Sequence, residues 1–342
     1  MLRKQILYIG NQLSKHGYSP STAETLGADL EIEGYEIYYA SNKLNPFFRL
    51  FDMIFTIIKL RFKVGLVLID TYSTSAFYYA WICAEICKYF RMKYVPILHG
   101  GNLPNRIERT PFASKRLFSN SYINVAVSGY LQNSLIKKGY NNIVISNSIN
   151  INNYKFQSRE VKNCNILWVR SFHEIYNPQL AILAVSKLIN KYPVITLTMV
   201  GPDKDGSLEK CKNYATELGI SSHVFFTGKL SKSEWIEVSK KCYVFINTTN
   251  FDNLPVSLIE AMALGMPIIS TNVGGIKFLL SNNVNGILVN VNNINELCNA
   301  ISSVFDDANL ANRLSKNARI TAENYDWQVV KKDWIRLLDN IK

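Results

Sequence analysis

The sequence has few of the residues that build metal centres and disulfide frameworks. Its four histidines show no metal-ligand spacing with one another or with the six cysteines. Those cysteines lie in apolar or helical segments, and Cys83 and Cys87 are one helical turn apart. We therefore expect reduced thiols packed in protein cores, and we expect neither a bound metal nor an organic cofactor.

Secretory and membrane-spanning segments are also lacking. The apolar run in the N-terminal MLRKQILYIG is too short for a signal peptide and indicates a first strand. No run reaches the length and apolarity of a membrane span. The expectation from both observations is a cytoplasmic protein.

Acidic residues are scarce relative to basic ones. Lys and Arg total 38 against 26 Asp and Glu, so the formal net charge is +12. Such a balance favours anionic partners, which include nucleotide diphosphates, acidic lipids and nucleic acids. No nucleic-acid recognition motif accompanies the charge, so we expect no nucleic-acid partner.

What the sequence does contain is two series of apolar, β-rich runs that alternate with helical patterns. At 342 residues the chain is long enough for two domains with separate cores. Continuous apolar strands separated by helices are typical of doubly wound parallel sheets, which bind ligands at the carboxyl ends of the strands. A polar stretch at Asn147–Glu160 lies between the two series. We predict an α/β fold with domains at 1–150 and 151–325, followed by a terminal helix at 326–342.

The most informative stretch is Phe251–Gly275, FDNLPVSLIEAMALGMPIISTNVGG, in which Asp252 precedes Glu260 by eight residues. Pro255 suits a helix start, where a missing N–H has no cost, and the free N–H groups of a first turn bind anions. One interpretation is a βαβ crossover with a buried, partnered Glu. The other is a site that holds a phosphate, hydroxyl groups and a ribose.

These residues resemble the nucleotide-sugar-binding segment of family 4 glycosyltransferases, the retaining group with the GT-B fold. That family has Glu-x7-Glu, then Ala-Met/Ala-x-Gly-x-Pro and a Val-Gly-Gly turn; here Asp252 replaces the first Glu, and AMALGMP and NVGG follow Glu260. The resemblance extends over nearly the whole chain, through Gly10-Asn11-Gln12, Leu98-His99-Gly100-Gly101, Trp168-Val169-Arg170 and Asn177-Pro178.

The resemblance implies two Rossmann-like domains that face a cleft, with the terminal helix packed back on the N-terminal, acceptor-side domain. It also implies a hexosyltransferase that uses a nucleotide-diphosphate sugar as donor and a lipid-linked or oligosaccharide acceptor in surface polysaccharide synthesis. Asp203-Lys-Asp205 matches a nucleotide-side turn of the family, so the resemblance implies donor binding without a metal.

The resemblance assigns roles to individual residues. Arg170 would clamp the diphosphate, Glu260 would bind the ribose, Asp252 would bind hydroxyls of the sugar, and His99 would shape and polarise the reaction site. Tyr176 stands where the family has a second cation, and Lys229 is a candidate to supply that charge. Further donor contacts would come from the glycine turns and from the backbone that opens the helix, at Gly10, Asn253, Leu254, Pro255, Val256, Gly274 and Gly275.

Two alternatives remain open. A nucleotide-sugar epimerase on the same fold would need additional acid/base carboxylates, and no clear set of them is present. A non-catalytic sugar-binding assembly partner is suggested by the departures at Asp252 and Tyr176.

Residues 46–63, PFFRLFDMIFTIIKLRFK, combine bulky apolar side chains with four cations and one acid. On a helix, one broad apolar face would hold Phe47, Leu50, Phe51, Ile54, Ile57 and Ile58. That face predicts either a core helix of the first domain or a helix that rests on an anionic membrane surface. The second interpretation would make the protein peripheral on the inner face of the membrane.

Overall fold

The computed structural model describes residues 4–18, 20–159 and 164–341. The chain divides into two compact units: the first comprises Met1–Ser146 and Lys331–Lys342, and the second comprises Asn147–Val330. The second unit thus begins at the start of the polar stretch singled out in the sequence.

The first unit is a six-stranded parallel sheet flanked by helices. Its strand order is β2-β1-β3-β4-β5-β6. The strands are β1 (Gln5–Ile9), β2 (Glu36–Ala40), β3 (Leu66–Thr71), β4 (Tyr94–Leu98), β5 (Asn124–Ala126) and β6 (Asn142–Val144). The helices are α1 (Thr22–Ile32), α2 (Pro46–Leu60), α3 (Ala76–Tyr89), α4 (Leu103–Arg109), α5 (Pro111–Ser119) and α6 (Gly129–Lys137).

The second unit is also a six-stranded parallel sheet, in the order β12-β11-β10-β7-β8-β9. Its strands are β7 (Asn165–Val169), β8 (Thr196–Val200), β9 (Val224–Gly228), β10 (Val244–Asn247), β11 (Ile268–Thr271) and β12 (Ile287–Val289). Its helices are α7 (Pro178–Leu188), α8 (Ser207–Glu217), α9 (Lys232–Ser239), α10 (Val256–Ala263), α11 (Ile276–Leu279), α12 (Ile294–Asp306) and α13 (Ala308–Glu323). The last helix, α14 (Trp327–Asn340), continues into the first unit.

The apolar strand runs are explained by burial on both faces of each sheet. In β7, Ile166 and Trp168 pack into one core of the second unit, whereas Leu167 packs into the core on the opposite face. Successive strand residues point to opposite faces, so a strand with helices on both sides must be apolar throughout. The structure thereby confirms the predicted α/β class with two doubly wound parallel-sheet units.

Each sheet has a point at which the strand order reverses. In the first unit it lies between β1 and β3, and in the second it lies between β7 and β10. The loops that follow the two strands diverge at such a point and leave a crevice at the carboxyl ends, which is where open α/β sheets bind ligands.

The segment from Pro255 differs slightly from the prediction. Pro255 is not in the first turn; it is the N-cap of α10, with extended backbone angles (φ −68°, ψ 119°). The helix therefore begins at Val256, and Glu260 lies in its second turn, where its side chain is buried.

Candidate functional site

Arg170 and Asp252 meet at the point where the second sheet reverses its strand order. Arg170 directly follows β7, Asp252 lies in the loop after β10, and Arg170 Nη2 forms an ion pair with Asp252 Oδ2. The Tyr176 ring lies 4.4 Å from the guanidinium carbon, so it packs against the plane of the cation. The structure thus brings together three residues that the sequence singled out, and we call them the arginine–carboxylate cluster.

The guanidinium in this cluster retains unused hydrogen-bonding capacity. Only 19% of the Arg170 side chain and 14% of the Asp252 side chain are exposed. Burial lowers the pKa of Arg170, although a guanidinium stays protonated in proteins. Within the part of the chain that the structure describes, Arg170 Nε is buried without a hydrogen-bond partner. A buried cation with an unsatisfied donor is suited to an incoming anion.

The Val-Gly-Gly turn at residues 273–275 packs against the loop that carries Asp252. The Gly275 N–H donates to the Asp252 carbonyl oxygen at 3.2 Å, and the Asn253 N–H donates to Asp252 Oδ1 at 2.8 Å. A Cβ at Gly274 would collide with the Asp252 carbonyl oxygen, and one at Gly275 would collide with that of Asn253. The sequence predicted that these glycines contact the donor. In this structure, the group that lies against them is the main chain of the Asp252 loop.

The start of α10 offers free backbone donors beside Asp252. Among the described residues, the N–H groups of Leu254, Val256 and Ser257 have no hydrogen-bond acceptor. The side chains of Asn253 and Leu254 are buried, and Leu254 packs into the core. The start of α10 can consequently bind an anion through the main-chain N–H groups of Leu254, Val256 and Ser257.

Glu260 is held by two residues that sequence reasoning missed. Tyr154 OH donates to Glu260 Oε1 at 2.6 Å, and Lys232 Nζ lies 2.8 Å from the same oxygen. Burial, and then the nearby Glu260 charge, raise the pKa of Tyr154, so its phenol remains a donor at neutral pH. Among the described residues, both contacts go to Oε1, so Oε2 remains for a further donor.

Lys232 is a different cation from Lys229, which the sequence suggested as a substitute for the charge absent at Tyr176. Lys229 is exposed in the loop after β9, whereas Lys232 is the first residue of α9 and follows the N-cap Ser231. The sequence signal for Lys232 is the Ser231–Glu234 capping box, which fixes where α9 starts and hence where this side chain projects.

A second cluster lies at the reversal point of the first sheet, around Asp70 at the end of β3. Its Oδ1 accepts from Tyr8 OH at 3.0 Å and lies 2.8 Å from His99 Nε2, and its Oδ2 accepts from Tyr72 OH at 3.4 Å. We call these four residues the acid–phenol cluster. Of its members, only His99 was predicted from the sequence.

Burial shapes the chemistry of the acid–phenol cluster. Burial first, and then the Asp70 charge, raise the pKa of Tyr8 and of Tyr72, so both phenols stay protonated and donate to the carboxylate. Predicted Gly10 lies beside this cluster, because a Cβ there would be 2.8 Å from Asp70 Oδ2 and 2.5 Å from the Ala23 Cβ. The glycine is therefore required by the close approach of Asp70 and α1.

The paired acids Asp203 and Asp205 are engaged by the backbone. Asp203 Oδ1 accepts from the N–H groups of Gly206 and Leu208, and the Asp205 carboxylate accepts from those of Glu174 and Ser207. Across the described ranges, no group of three or more His, Cys, Asp or Glu side chains is arranged to hold a metal ion.

Comparisons with known proteins place these clusters in context. An uncharacterized glycosyltransferase of Haemophilus influenzae is 30% identical over 152 residues, which are 44% of this chain and 42% of that protein. The N,N'-diacetylbacillosaminyl-diphospho-undecaprenol alpha-1,3-N-acetylgalactosaminyltransferase of Campylobacter jejuni is 24% identical over 241 residues, 64% of this chain and 60% of that protein. The chain therefore spans about half the length of these two relatives.

A solved structure supplies a whole-chain comparison. Anabaena HepE in complex with UDP and glucose is 18% identical, with a TM-score of 0.81 over 99% of this chain and 100% of that one. This likeness concerns the fold and confirms the predicted GT-B class.

The family model described as glycosyl transferases group 1 matches residues 150–321, which include the whole arginine–carboxylate cluster together with Glu260, Tyr154 and Lys232. Because that match covers half of the chain, this glycosyltransferase belongs to the group 1 family.

Proposed function

We propose that this chain is a retaining, metal-independent hexosyltransferase that moves a sugar from a nucleotide-diphosphate donor to a lipid-linked or oligosaccharide acceptor. The observation that supports this most directly is the meeting of Arg170, Asp252 and the start of α10 at one crevice, with Glu260 in the second turn of that helix. Cation, free N–H groups and two carboxylates match the successive parts of a nucleotide sugar.

The diphosphate binds to Arg170 and to the start of α10. The guanidinium can donate to two phosphate oxygens at once, and its Nε is already without a partner. The free N–H groups of Leu254, Val256 and Ser257 add donors where the helix dipole favours negative charge. Together these groups supply the charge stabilisation that a metal provides in other transferases.

The two carboxylates bind the two sugars of the donor. Glu260, fixed by Tyr154 and Lys232 through Oε1, accepts ribose hydroxyls with its remaining capacity. Asp252 accepts hydroxyls of the transferred sugar once the diphosphate has replaced it on Arg170. In the free protein the ion pair keeps both groups in position without leaving either charge buried alone.

In the transfer step, the bond between the anomeric carbon and the diphosphate oxygen breaks, and a bond from the acceptor oxygen forms on the same face. The acceptor proton passes to the departing diphosphate. In this arrangement Asp252 accepts hydroxyls of the transferred sugar and is not assigned as a covalent nucleophile, so we favour this one-step course over a double displacement. In the first unit, Asp70 holds His99, to which we assign the role of polarising the reacting groups.

The acceptor class rests on the relatives. The Campylobacter jejuni relative is named for transfer to a diphospho-undecaprenol-linked sugar. An acceptor of this class carries its own diphosphate and a long hydrocarbon chain. For the donor, the HepE complex contains UDP and glucose, which makes UDP-sugars the first to test.

The test is a panel of UDP- and GDP-sugars offered with and without lipid-linked acceptors, in the presence of a chelator. Donors are first selected by thermal shift, because a ligand that binds only the native state raises its apparent stability. Products are then analysed by NMR for anomeric configuration. We expect transfer with the donor's configuration retained and no loss of rate with the chelator.

Four outcomes would contradict all or part of the proposal. An inverted product would exclude a retaining enzyme. An epimerised donor formed without acceptor would identify an epimerase, and donor binding without turnover of any acceptor or of water would indicate a binding partner. Loss of activity with the chelator would overturn the metal-independent part alone.

A further inference from the structure

Helix α2 of the first unit presents large aromatic side chains to solvent. Along this helix and the turn after it, Phe48 is 67% exposed and Phe62 is 89% exposed. The exposed members, which we call the phenylalanine stripe, are Phe47, Phe48, Phe51, Phe55, Ile58 and Phe62. A run of exposed Phe of this size is rare on a soluble surface and marks an interaction site.

The stripe is a face of its own, distinct from the core face of the helix. Its central members recur at alternating intervals of three and four residues, which places them on one side of a helix. Met53 and Ile57, on the other side, are buried. The single apolar face predicted from the sequence is thus divided: Ile57 is in the core, whereas Phe47 and Phe51 are in the stripe.

The helix has the dimensions of an element that lies on a bilayer. With 15 residues, α2 is about 22 Å long at 1.5 Å per residue, which is shorter than the ~30 Å hydrocarbon core. Among the described residues, no helix has the length and apolarity to cross a membrane. A short helix with an exposed apolar stripe is typical of helices that rest in the interface.

The charges around the stripe define the lipid. Asp52 is the one acid in residues 46–63. Exposed Lys59 borders the stripe, the Arg61 guanidinium lies 4.3 Å from the Phe62 ring centroid, and Lys63 is exposed just beyond. Cations beside exposed aromatic rings at one end of an apolar stripe suit anionic headgroups.

Arg49 belongs to the scaffold and not to this basic rim. Its guanidinium donates to the carbonyl oxygens of Lys43 and Leu44, at 2.7 and 2.9 Å, and to Asn11 Oδ1 at 3.1 Å. Asn11 lies in the loop after β1. The first turn of α2 is therefore tied to the sheet edge that carries the acid–phenol cluster.

We propose that the phenylalanine stripe inserts into the headgroup boundary of an anionic bilayer, with Lys59, Arg61 and Lys63 on acidic headgroups. This surface goes beyond the proposed transfer reaction and does not depend on it. A second copy of the chain is disfavoured as the occupant, since two chains of net charge +12 would bring their basic rims together. Through the Arg49–Asn11 contact, the stripe is tied to the edge of the sheet that carries the acid–phenol cluster.

The test is co-sedimentation of the full chain with vesicles of phosphatidylcholine alone or with 30% phosphatidylglycerol. We expect binding to the anionic vesicles that weakens as salt is raised. Each Lys or Arg near a membrane surface contributes about 1 kcal/mol, roughly fivefold in partitioning. The variant with Lys59, Arg61 and Lys63 changed to Gln should therefore lose on the order of a hundredfold.

A second variant removes the aromatic insertion by changing Phe48, Phe51 and Phe55 to Ser. It should abolish binding even at low salt while its thermal unfolding midpoint is unchanged or higher, because the native side chains are already in water. Matched controls in the second unit change exposed Phe225 and Phe278 to Ser, or exposed Lys210, Lys212 and Lys241 to Gln. These controls should bind like the parent protein.

Phe55→Trp keeps the proposal testable if the triple variant does not fold. Its added fluorescence should shift to the blue and be quenched by brominated lipid on anionic vesicles. Absence of binding to anionic vesicles at low salt would overturn the proposal. So would a concentration-dependent dimer that the Phe variant dissociates, because that result would assign the stripe to a second copy of the chain.

Discussion

The two units carry their polar clusters at the same topological position but build them differently. In the second unit, a guanidinium and a carboxylate meet beside a helix start, and both remain partly exposed. In the first, one buried carboxylate is surrounded by two phenols and an imidazole. The arginine–carboxylate cluster can exchange its internal ion pair for a bound anion. The acid–phenol cluster instead fixes the position of His99.

The difference indicates a division of labour. A cation with an unsatisfied N–H gains from a ligand, since a buried donor without a partner is costly. The Asp70 carboxylate already contacts Tyr8, Tyr72 and His99. We therefore expect Asp70 to influence the reaction by orienting His99. We expect substitutions in the second unit to act on donor affinity and those in the first unit to act on turnover.

The largest effects should come from substituting Arg170 and Asp252 separately, because the two substitutions should affect nucleotide affinity differently. Arg170→Ala should weaken nucleoside diphosphate binding by about ten- to hundredfold, because charge-assisted hydrogen bonds contribute about 1.5–3 kcal/mol. Asp252→Asn should leave that affinity unchanged or higher, since it releases the guanidinium, yet it should abolish most transfer. Calorimetry with UDP and GDP, alongside a transfer assay, separates the two.

Equal losses of nucleotide affinity in both variants would show that the pair is only structural. Unfolding in urea serves as the control, because removal of either partner leaves a poorly solvated charge that itself lowers stability.

In the first unit, Asp70→Asn should lower kcat by roughly tenfold with little change in the donor KM, since the Asn retains the shape but loses the charge that orients His99. The decisive measurement is a double-mutant cycle with His99→Ala. If Asp70 acts through His99, the double variant is no slower than His99→Ala alone. Additive losses would refute a positioning role.

Tyr154→Phe should produce a smaller effect in the second unit. It removes one neutral donor from Glu260, which costs about 0.5–1.5 kcal/mol, so donor KM should rise roughly three- to tenfold while kcat is retained. Tyr192→Phe is the matched control, because Tyr192 OH also donates to a carboxylate, that of Asp306, in the same unit. An unchanged donor KM in Tyr154→Phe would show that the phenol does not support the ribose site.

The smallest effects concern stability at neutral pH and differ in sign between the units. Hydrogen bonds from Lys191 and then Tyr192 lower the pKa of Asp306, so its stabilisation is present at neutral pH and is lost as pH falls through that pKa. Burial, and then the Glu33 charge, raise the pKa of Asp29, so its ionisation opposes folding at neutral pH. Asp306→Asn should therefore lower the urea midpoint at pH 7, and Asp29→Asn should raise it.

Both differences should shrink as pH falls below the pKa values of these carboxyl groups in the unfolded and folded chains. Shifts that persist unchanged in acid would attribute them to packing.

The sequence alone predicted what is local. Apolar strand runs between helical segments required two doubly wound units, and the stretch from Asp252 to Gly275 identified one crevice because its residues are near neighbours in the chain. Strand order was not predicted, and Asp70, Tyr8 and Tyr72 were missed because Tyr8 reaches Asp70 only after β1 and β3 pair. Tyr154 and Lys232 were missed for the same reason: each lies many residues from Glu260.

For α2, the predicted membership of one apolar face was wrong, because Ile57 is buried whereas Phe47 and Phe51 are exposed. Apolar residues occur on nearly every side of this helix. Such a pattern does not show which face packs in the core and which face is exposed to solvent. Only the sheet beneath the helix, which receives Met53 and Ile57, decides this.

The glycine pair at 274 and 275 has a practical consequence for enzyme engineering. Because these residues lie directly against the Asp252–Asn253 main chain, a change in the turn that contains them would shift the Asp252 loop as well. A graft intended to alter which sugar is used should exchange residues 250–256 and 272–276 together. Replacement of the turn by one with side chains at those two positions, without a matching loop, would displace the carboxylate that the graft was meant to redirect.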